Sequence, residues 1–321
     1  MPLRNLREFI ALLEKRQQLL RVSTPLSAEL DITEVTDRVS KLPERENKAL
    51  LFEHVRGRNS QPAQEYEVPV LINAFGSAQR MAWALEVEDL DQLSERLGRL
   101  IDPRLPHGMG QALGRGRDML GALRGIGLKP RKVRSAPVQE VIETASPSLD
   151  FLPILKCWPK DGGRFITLPQ VITRNPQTGV RNVGMYRLQV IDERTLIVHW
   201  QRHKGGADHE QRARSLDQTR IPAAIVLGGD PASMWCASAP LPPEIDEYLL
   251  AGYLRGEPVP FINCISQPLE VPAEAEIVIE GYVDLADYRD EGPFGDHTGY
   301  YTPVERFPSF HVTAITHRRD P

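Results

Sequence analysis

Cysteine is scarce and poorly placed for cross-linking: there are three, Cys157, Cys236 and Cys264, odd in number, widely spaced and without a Cys-x-x-Cys pair. That arithmetic argues against a disulfide framework and a structural thiolate zinc site, and reduced thiols are the expectation. An excess of charge of one sign is also lacking. Lys and Arg total 39 against 43 Asp and Glu, a net charge of -4, which gives no chain-wide attraction to nucleic acid or anionic lipid. No apolar run approaches the roughly 20 residues that cross a bilayer. Met1-Pro2-Leu3-Arg4 leads straight into an amphipathic segment and not a signal peptide, so a cytoplasmic protein is expected. Internal repeats, low-complexity tracts and a Walker Gly-Lys-Ser/Thr are missing as well, and no complete Gly-x-Gly-x-x-Gly follows a clear strand.

What is present is a chain of 321 residues, 41% hydrophobic, enough for two or more packed domains. Asn5 followed by Glu8 has the spacing of a capping box, and Leu6, Phe9, Ile10 and Leu13 recur at helical spacing. A strand over Leu19–Val22 follows, then a second helix opened by Asp31 with Glu34 and continued by Ile32, Val35 and Val39. Strands over 49–55 and 68–75 and a helix marked by Leu90, Leu93, Leu97 and Leu100 complete a small α/β domain over residues 1–102. Residues 103–135 break the pattern, with seven glycines and eight Lys or Arg against the single acid Asp118. They read as a basic, Gly-rich solvated linker, with almost no aromatics for stacking RNA bases.

Strands dominate residues 136–321, making the whole an α+β chain. Segments 166–173 and 180–191 flank the turn Asn175-Pro176-Gln177-Thr178-Gly179 as a hairpin, and a third strand, 195–201, follows the Asp192-Glu193-Arg194 turn. Further strands are expected at 221–227, 259–265, 277–283 and 310–316, with one clear helix at 243–254. Many strands with few helices predict a closed or partly closed barrel.

Into this apolar, β-rich half the sequence sets Arg187, Glu291 and Asp296. An arginine held between carboxylates can clamp an anion bidentately, while burial and mutual repulsion can raise one carboxylate pKa enough to keep a proton near neutral pH. Structural ion-pair networks use the same residue types, and on type alone that plainer reading leads. The literal strings add more: Asn182-Val183-Gly184-Met185-Tyr186-Arg187, then His199-Trp200-Gln201-Arg202-His203-Lys204-Gly205-Gly206, then Asp246-Glu247-Tyr248, then Glu291-Gly292-Pro293-Phe294-Gly295-Asp296-His297-Thr298-Gly299-Tyr300-Tyr301. In order and approximate spacing they resemble the UbiD-type decarboxylases. The resemblance runs from Asn5-Leu6-Arg7-Glu8-Phe9 through Ala74-Phe75-Gly76-Ser77 and Cys157-Trp158-Pro159 to the last residues, covering the whole chain.

The resemblance implies a split β-barrel binding prenylated FMN, and a non-oxidative carboxy-lyase of aromatic or unsaturated acids. By it, Arg187 would hold the substrate carboxylate, Asp296 would deliver the proton and Glu291 would tune both. Asp at 296 leans toward a polyprenylated 4-hydroxybenzoate or a naphthoate analogue of quinone biosynthesis. Met185, Tyr186, Arg187, His199, Trp200, Gln201, Lys204 and Gly205 would wrap the flavin. Asn182, His203 and Glu247 would hold Mn2+ or Mg2+, oxygen and nitrogen donors suited to a hard cation, with K+ at the carbonyls of Ala237 and Ser238. By spacing alone His203 and Glu247 would be ordinary surface or core residues, as Tyr186 and Trp200 would be core aromatics. A flavin prenyltransferase would supply the cofactor, and a lipophilic substrate would bring the enzyme to the membrane periphery.

Relatives continue past Pro321 into an α/β domain through which homo-oligomers would form. Its absence from this sequence implies an uncovered apolar surface, with the strand over 310–315 prone to association. A non-catalytic flavin-binding or subunit-interaction relative is the alternative, and a split-barrel flavin reductase a lower one, because it would not need Glu291 with Asp296. One expectation is purely geometric. Asn182 and Arg187 are five residues apart and on a regular strand would face opposite sides, so a shared site requires a bulge or strand end between them, at Gly184.

Overall fold

The computed structural model describes residues 2–57, 65–100, 129–201, 203–242 and 245–321, so most of the basic linker lies outside the described residues. The first helix, Leu6–Lys15, is capped as its sequence predicts, the Asn5 side chain accepting the Glu8 N–H at 3.0 Å. Its buried stripe is Phe9 and Leu13, with Phe9 stacked 5.6 Å from Phe75. Strand Leu19–Val22 runs parallel to Ala49–Phe52, which pairs antiparallel with Val70–Ile72. The helix Asp31–Ser40 begins where expected, but Asp31 does not cap it: the N-cap is Leu30 at φ 72°, and the Asp31 carboxylate accepts the Ser27 N–H instead. Helices Ala78–Ala84, capped by Ser77, and Leu90–Leu100 follow.

The second half is built on a nine-stranded sheet. Its path runs from Arg181–Gly184 through Gln170–Arg174, Arg220–Leu227, Ile277–Glu291, Glu305–His317, Thr195–Val198 and Leu188–Asp192 to Phe165–Ile166, with Val141–Glu143 also paired to Glu305–His317. Successive residues alternate between two apolar layers: Ala224, Val226 and Val278 pack with Tyr248 and Phe261, while Ala223, Ile225 and Ile279 pack with Leu188, Leu196 and Phe310. The spine is the long antiparallel pair Ile277–Glu291 and Glu305–His317, whose register slips between Glu280 and Gly281 and again between Asp284 and Tyr288. At the first slip a Cβ on Gly281 would fall 2.0 Å from the His311 carbonyl oxygen, so only glycine lets the strands approach. Among the described residues the end strands Arg181–Gly184 and Phe165–Ile166 do not pair with each other, and the closure of the predicted barrel is not made by hydrogen bonds.

Three expectations change. The strand over 310–315 is not an open edge, because Glu305–His317 is paired on both sides, and Phe310, Ala314 and Ile315 are fully buried. Helices Gly205–Ser215 and Pro231–Cys236 stand where no helix was read: the first opens on two glycines and is polar along its length, the second is too short to show a period. The helix expected over 243–254 is Glu247–Arg255, capped by the Asp246 side chain. The two halves share an apolar cluster, Leu85 and Leu93 with Tyr248 and Leu254, and polar contacts add to it, Arg7 to Glu276 at 3.1 Å and Arg96 to the Leu254 carbonyl at 2.9 Å. Strand Arg131–Lys132 pairs in parallel with Pro260–Phe261.

Because the spine is filled from one side by Phe310, Phe310→Ala should lower the unfolding free energy by about 3–5 kcal/mol through cavity formation, read as a drop in the urea midpoint at constant slope.

Candidate active site

The spine strand Ile277–Glu291 ends by delivering Glu291 into the interior, with no exposed surface. A carboxylate there must be met by donors. Arg187, in the gap between strands Arg181–Gly184 and Leu188–Asp192, gives it a two-pronged contact, Nε to Oε1 at 2.7 Å and Nη2 to Oε2 at 2.9 Å. Nη2 also donates to Thr302 Oγ1 at 3.2 Å, and the guanidinium lies 4.5 Å over the ring of Phe294. Among the described residues Nη1 has no hydrogen bond. His199, read from the sequence as a flavin contact, lies against the same carboxylate, Nδ1 to Oε2 at 3.1 Å, with its ring 4.2 Å from Phe307.

Asp296 sits on the neighbouring hairpin, Phe294–Gly295 paired with Tyr301–Thr302. Its side chain bonds to Arg187 nowhere among the described residues; Oδ1 accepts both the backbone N–H and the ring Nδ1 of His297, each at 2.7 Å. The idea of one carboxylate raised by burial and repulsion is corrected. Burial does push Glu291 up, but hydrogen bonds from His199 and Arg187 outweigh it and hold the carboxyl below its ordinary range. Burial pushes Asp296 up too, and its bonds to His297, with the charge of Arg187, bring it below the ordinary range. Each acid has its own donors, so neither depends on the other for its charge.

The strand-parity expectation holds. Strand Arg181–Gly184 stops at Gly184, and Met185 turns away to donate its N–H to the Ala237 carbonyl at 2.9 Å. A Cβ on Gly184 would overlap the Tyr186 ring, 2.1 Å from Cζ. The Tyr186 hydroxyl accepts the Gly206 N–H at 3.0 Å and faces Asn182 Nδ2 at 3.4 Å, so it ties the strand to the start of helix Gly205–Ser215. Gly205 is equally close: a Cβ there would fall 1.8 Å from Asn182 Oδ1. Trp200 is buried against Gly206, and its Nε1 has no partner among the described residues. Lys204, at the N-cap, provides no side-chain cap, and Lys204, Gln201 and His203 are exposed.

Glu247 approaches from the helix Glu247–Arg255 and accepts the Val183 N–H at 2.7 Å. Burial first of all pushes its pKa up to about 8. Asn182 and Glu247 thus adjoin along one strand edge, whereas His203 is in the exposed turn before Lys204, and no hydrogen bond joins it to them among the described residues. No group of three His, Cys, Asp or Glu gathers at one point among the described residues. Sequence reasoning missed Thr302 and His297, although both belong to or adjoin the quoted Gly-Pro-Phe-Gly-Asp run.

A buried arginine–carboxylate pair can clamp an anion, and an uncapped, glycine-led helix start offers free N–H groups to one. Comparison with known families then identifies the family. The 3-octaprenyl-4-hydroxybenzoate carboxy-lyase N-terminal domain matches residues 10–99 and the Rift-related domain of the same family matches residues 131–321; the chain belongs to the UbiD family. It is 48% identical over 319 residues to an uncharacterized protein of Aquifex aeolicus, spanning 99% of this chain and 63% of that relative. An uncharacterized protein of Archaeoglobus fulgidus is 45% identical over 328 residues, again with 63% of its length spanned. Among solved structures, the UbiD-class enzyme HmfF from Pelotomaculum thermopropionicum in complex with FMN superposes with a TM-score of 0.82 at 30% identity, over 99% of this chain and 63% of that one. Vanillic acid decarboxylase of Sedimentibacter hydroxybenzoicus superposes at 0.81 with 27% identity, over 100% of this chain and 63% of that one. The chain therefore spans somewhat under two thirds of the relatives it matches.

The depressed pKa of Glu291 has a stability consequence of definite sign. A carboxyl lower in the folded than in the unfolded state stabilises above its unfolded value, and that stability is lost as pH falls through the folded value. Wild type should therefore exceed Glu291→Gln by about 3 kcal/mol at pH 7, with the gap shrinking as pH drops below about 4, measured by urea unfolding across pH.

Proposed function

We propose that the protein is a carboxy-lyase that uses prenylated FMN to release carbon dioxide from a hydroxyaryl acid. The observation that carries this reading is the buried Arg187–Glu291 pair, which leaves Nη1 unbonded among the described residues, inside a chain of the UbiD family. Glu291 and Thr302 fix one side of the guanidinium, and its fixed fork is offered to a carboxylate that arrives from the other. Prenylated FMN, when bound, supplies the electron sink for breaking the carbon–carbon bond. The protein binds, orients and handles the proton.

Asp296 is the acid in this reading. With its carboxyl below the ordinary range in the free protein, it takes up a proton once the negative charge of the bound substrate lies beside it, and then donates that proton to the carbon that has lost carbon dioxide. The phosphate end of the cofactor fits the start of helix Gly205–Ser215, where Lys204 supplies charge and the unpartnered Trp200 Nε1 a donor. Met185, Tyr186, His199, Gln201 and Gly205 would border it. Asn182 and Glu247 would hold Mn2+ or Mg2+, with His203 completing the set by closing the exposed turn; K+ would take the carbonyls of Ala237 and Ser238.

The substrate favoured is a polyprenylated 4-hydroxybenzoate or naphthoate analogue on a route to quinones. The family's description supports it, as does an apolar cavity of about 830 Å³ lined by Leu51, Ile72, Leu152, Phe165 and Ile277, among others. Phe165 also touches the site, 4.8 Å from Phe294. No helix among the described residues is long and apolar enough to cross a membrane. In this reading the chain divides into 1–102, 103–135 and 136–321, and homo-oligomers form through a further domain.

Arg187→Lys keeps the charge and loses the planar fork. It should keep bound flavin yet lose about 100-fold or more in carbon dioxide release. The mass of the ligand freed on denaturation should be that of FMN with an added five-carbon ring; near-normal turnover in Arg187→Lys, or unmodified FMN in an active preparation, would refute the reading.

A further inference from the structure

Asp161 is buried at 4% exposure and lies outside every role so far assigned. It belongs to the segment Cys157-Trp158-Pro159-Lys160-Asp161-Gly162-Gly163, which is pressed against the loop that carries Asp296. One carboxylate oxygen accepts the Trp158 N–H at 2.9 Å and the other accepts the Gly295 N–H at 2.8 Å. Gly295 immediately precedes Asp296. Next to it the Gly162 N–H donates to the Pro293 carbonyl at 2.8 Å, and the Lys160 N–H to the Tyr301 hydroxyl at 3.2 Å. The two surfaces meet with no room for side chains: a Cβ on Gly162 would fall 2.1 Å from the Gly292 carbonyl oxygen, and one on Gly295 would fall 2.2 Å from the Trp158 ring.

Asp296 has little hold of its own. Among the described residues its side chain hydrogen-bonds only to its neighbour His297, and its backbone bonds stay within the turn, N–H to the Tyr300 carbonyl and carbonyl from the Gly299 N–H. The aim of this turn toward Arg187 is therefore set from outside it. We propose that the Trp158–Asp161 turn is the brace that holds Asp296 in line for proton transfer, and that Asp161 is a positioning residue for the reaction. The inference rests on the reading of Asp296 as the acid. A carboxylate is required because two N–H donors converge on it and it is acceptor-only when ionised; an amide would turn its own NH2 toward one of them. The gain lies in orientation, where small displacements of a catalytic group cost rate more than binding.

The test uses flavin-loaded protein carrying Asp161→Ala, and Asp161→Asn in case the alanine variant does not fold. Amide hydrogen exchange at Gly295 should quicken roughly tenfold or more in Asp161→Ala, the weight of one charge-assisted hydrogen bond, and by less in Asp161→Asn, which keeps one acceptor. Exchange over Leu188–Asp192 and the flavin content should stay as in wild type. The kcat for carbon dioxide release should fall about tenfold or more with KM within roughly twofold, as for a group acting beyond substrate binding. Unchanged Gly295 exchange, or unchanged kcat, in a variant made alongside an inactive Asp296→Asn would overturn the brace. Normal turnover in Asp296→Asn would instead remove the acid role from Asp296, and the exchange data would then decide alone whether Asp161 braces the turn.

Discussion

A carboxylate without exposed surface has to be satisfied where it lies, and in this protein that group is Glu291 at the end of the spine strand. Three segments are bound to it. Arg187 comes from the break after Gly184, His199 from the residue that follows strand Thr195–Val198, and Thr302, through Arg187, from the hairpin beyond it. Burial makes each contact strong and makes the loss of any one costly, because the partners left behind cannot turn to water. The strand geometry bears on the same site: a straight strand through 182–187 would turn Asn182 and Arg187 to opposite faces, and the strand ends at Gly184 instead.

The site then divides into a rigid part and a borrowed part. Arg187, Glu291 and His199 are held by one another and by the paired strands around them. Asp296 is in a turn where its own hydrogen bonds among the described residues are local, and the adjoining Gly295 is held by the Trp158–Gly163 segment through contacts too close for any side chain. That division suits the chemistry proposed. The clamp should not move, whereas the acid has to change its proton as substrate charge arrives and leaves.

Separate partners for the two acids also alter the electrostatic picture. Two carboxylates beside one arginine invite the expectation of shared charge and one elevated pKa. Here His199 and His297 each stand against one carboxylate, so both are held low in the free protein. Burial does raise the carboxyl of Glu247, to about 8, on a helix where a backbone N–H is its hydrogen-bond donor.

By itself the sequence determined what local physics determines. The cap of Leu6–Lys15, the turn at Asn175–Gly179 and the runs that became sheet strands are legible, because caps, turns and alternation depend on near neighbours, whereas the grouping of Arg187 with Glu291, 104 positions apart, came from the family resemblance alone. The glycine-led helix Gly205–Ser215 was illegible, since its polar composition gives no period and its start is fixed by Tyr186, Trp200 and Asn182 from other elements. Tertiary structure alone decided that His199 faces Glu291, that Asp296 bonds to His297 and that Asp161 reaches Gly295 across 134 positions. It also decided that Glu305–His317 is paired on both sides, since only the assembled sheet supplies Ile277–Glu291 on one side and Thr195–Val198 with Val141–Glu143 on the other. Residue type fixes which groups can bond; which of them meet depends on strand order and register, which no short stretch of chain contains.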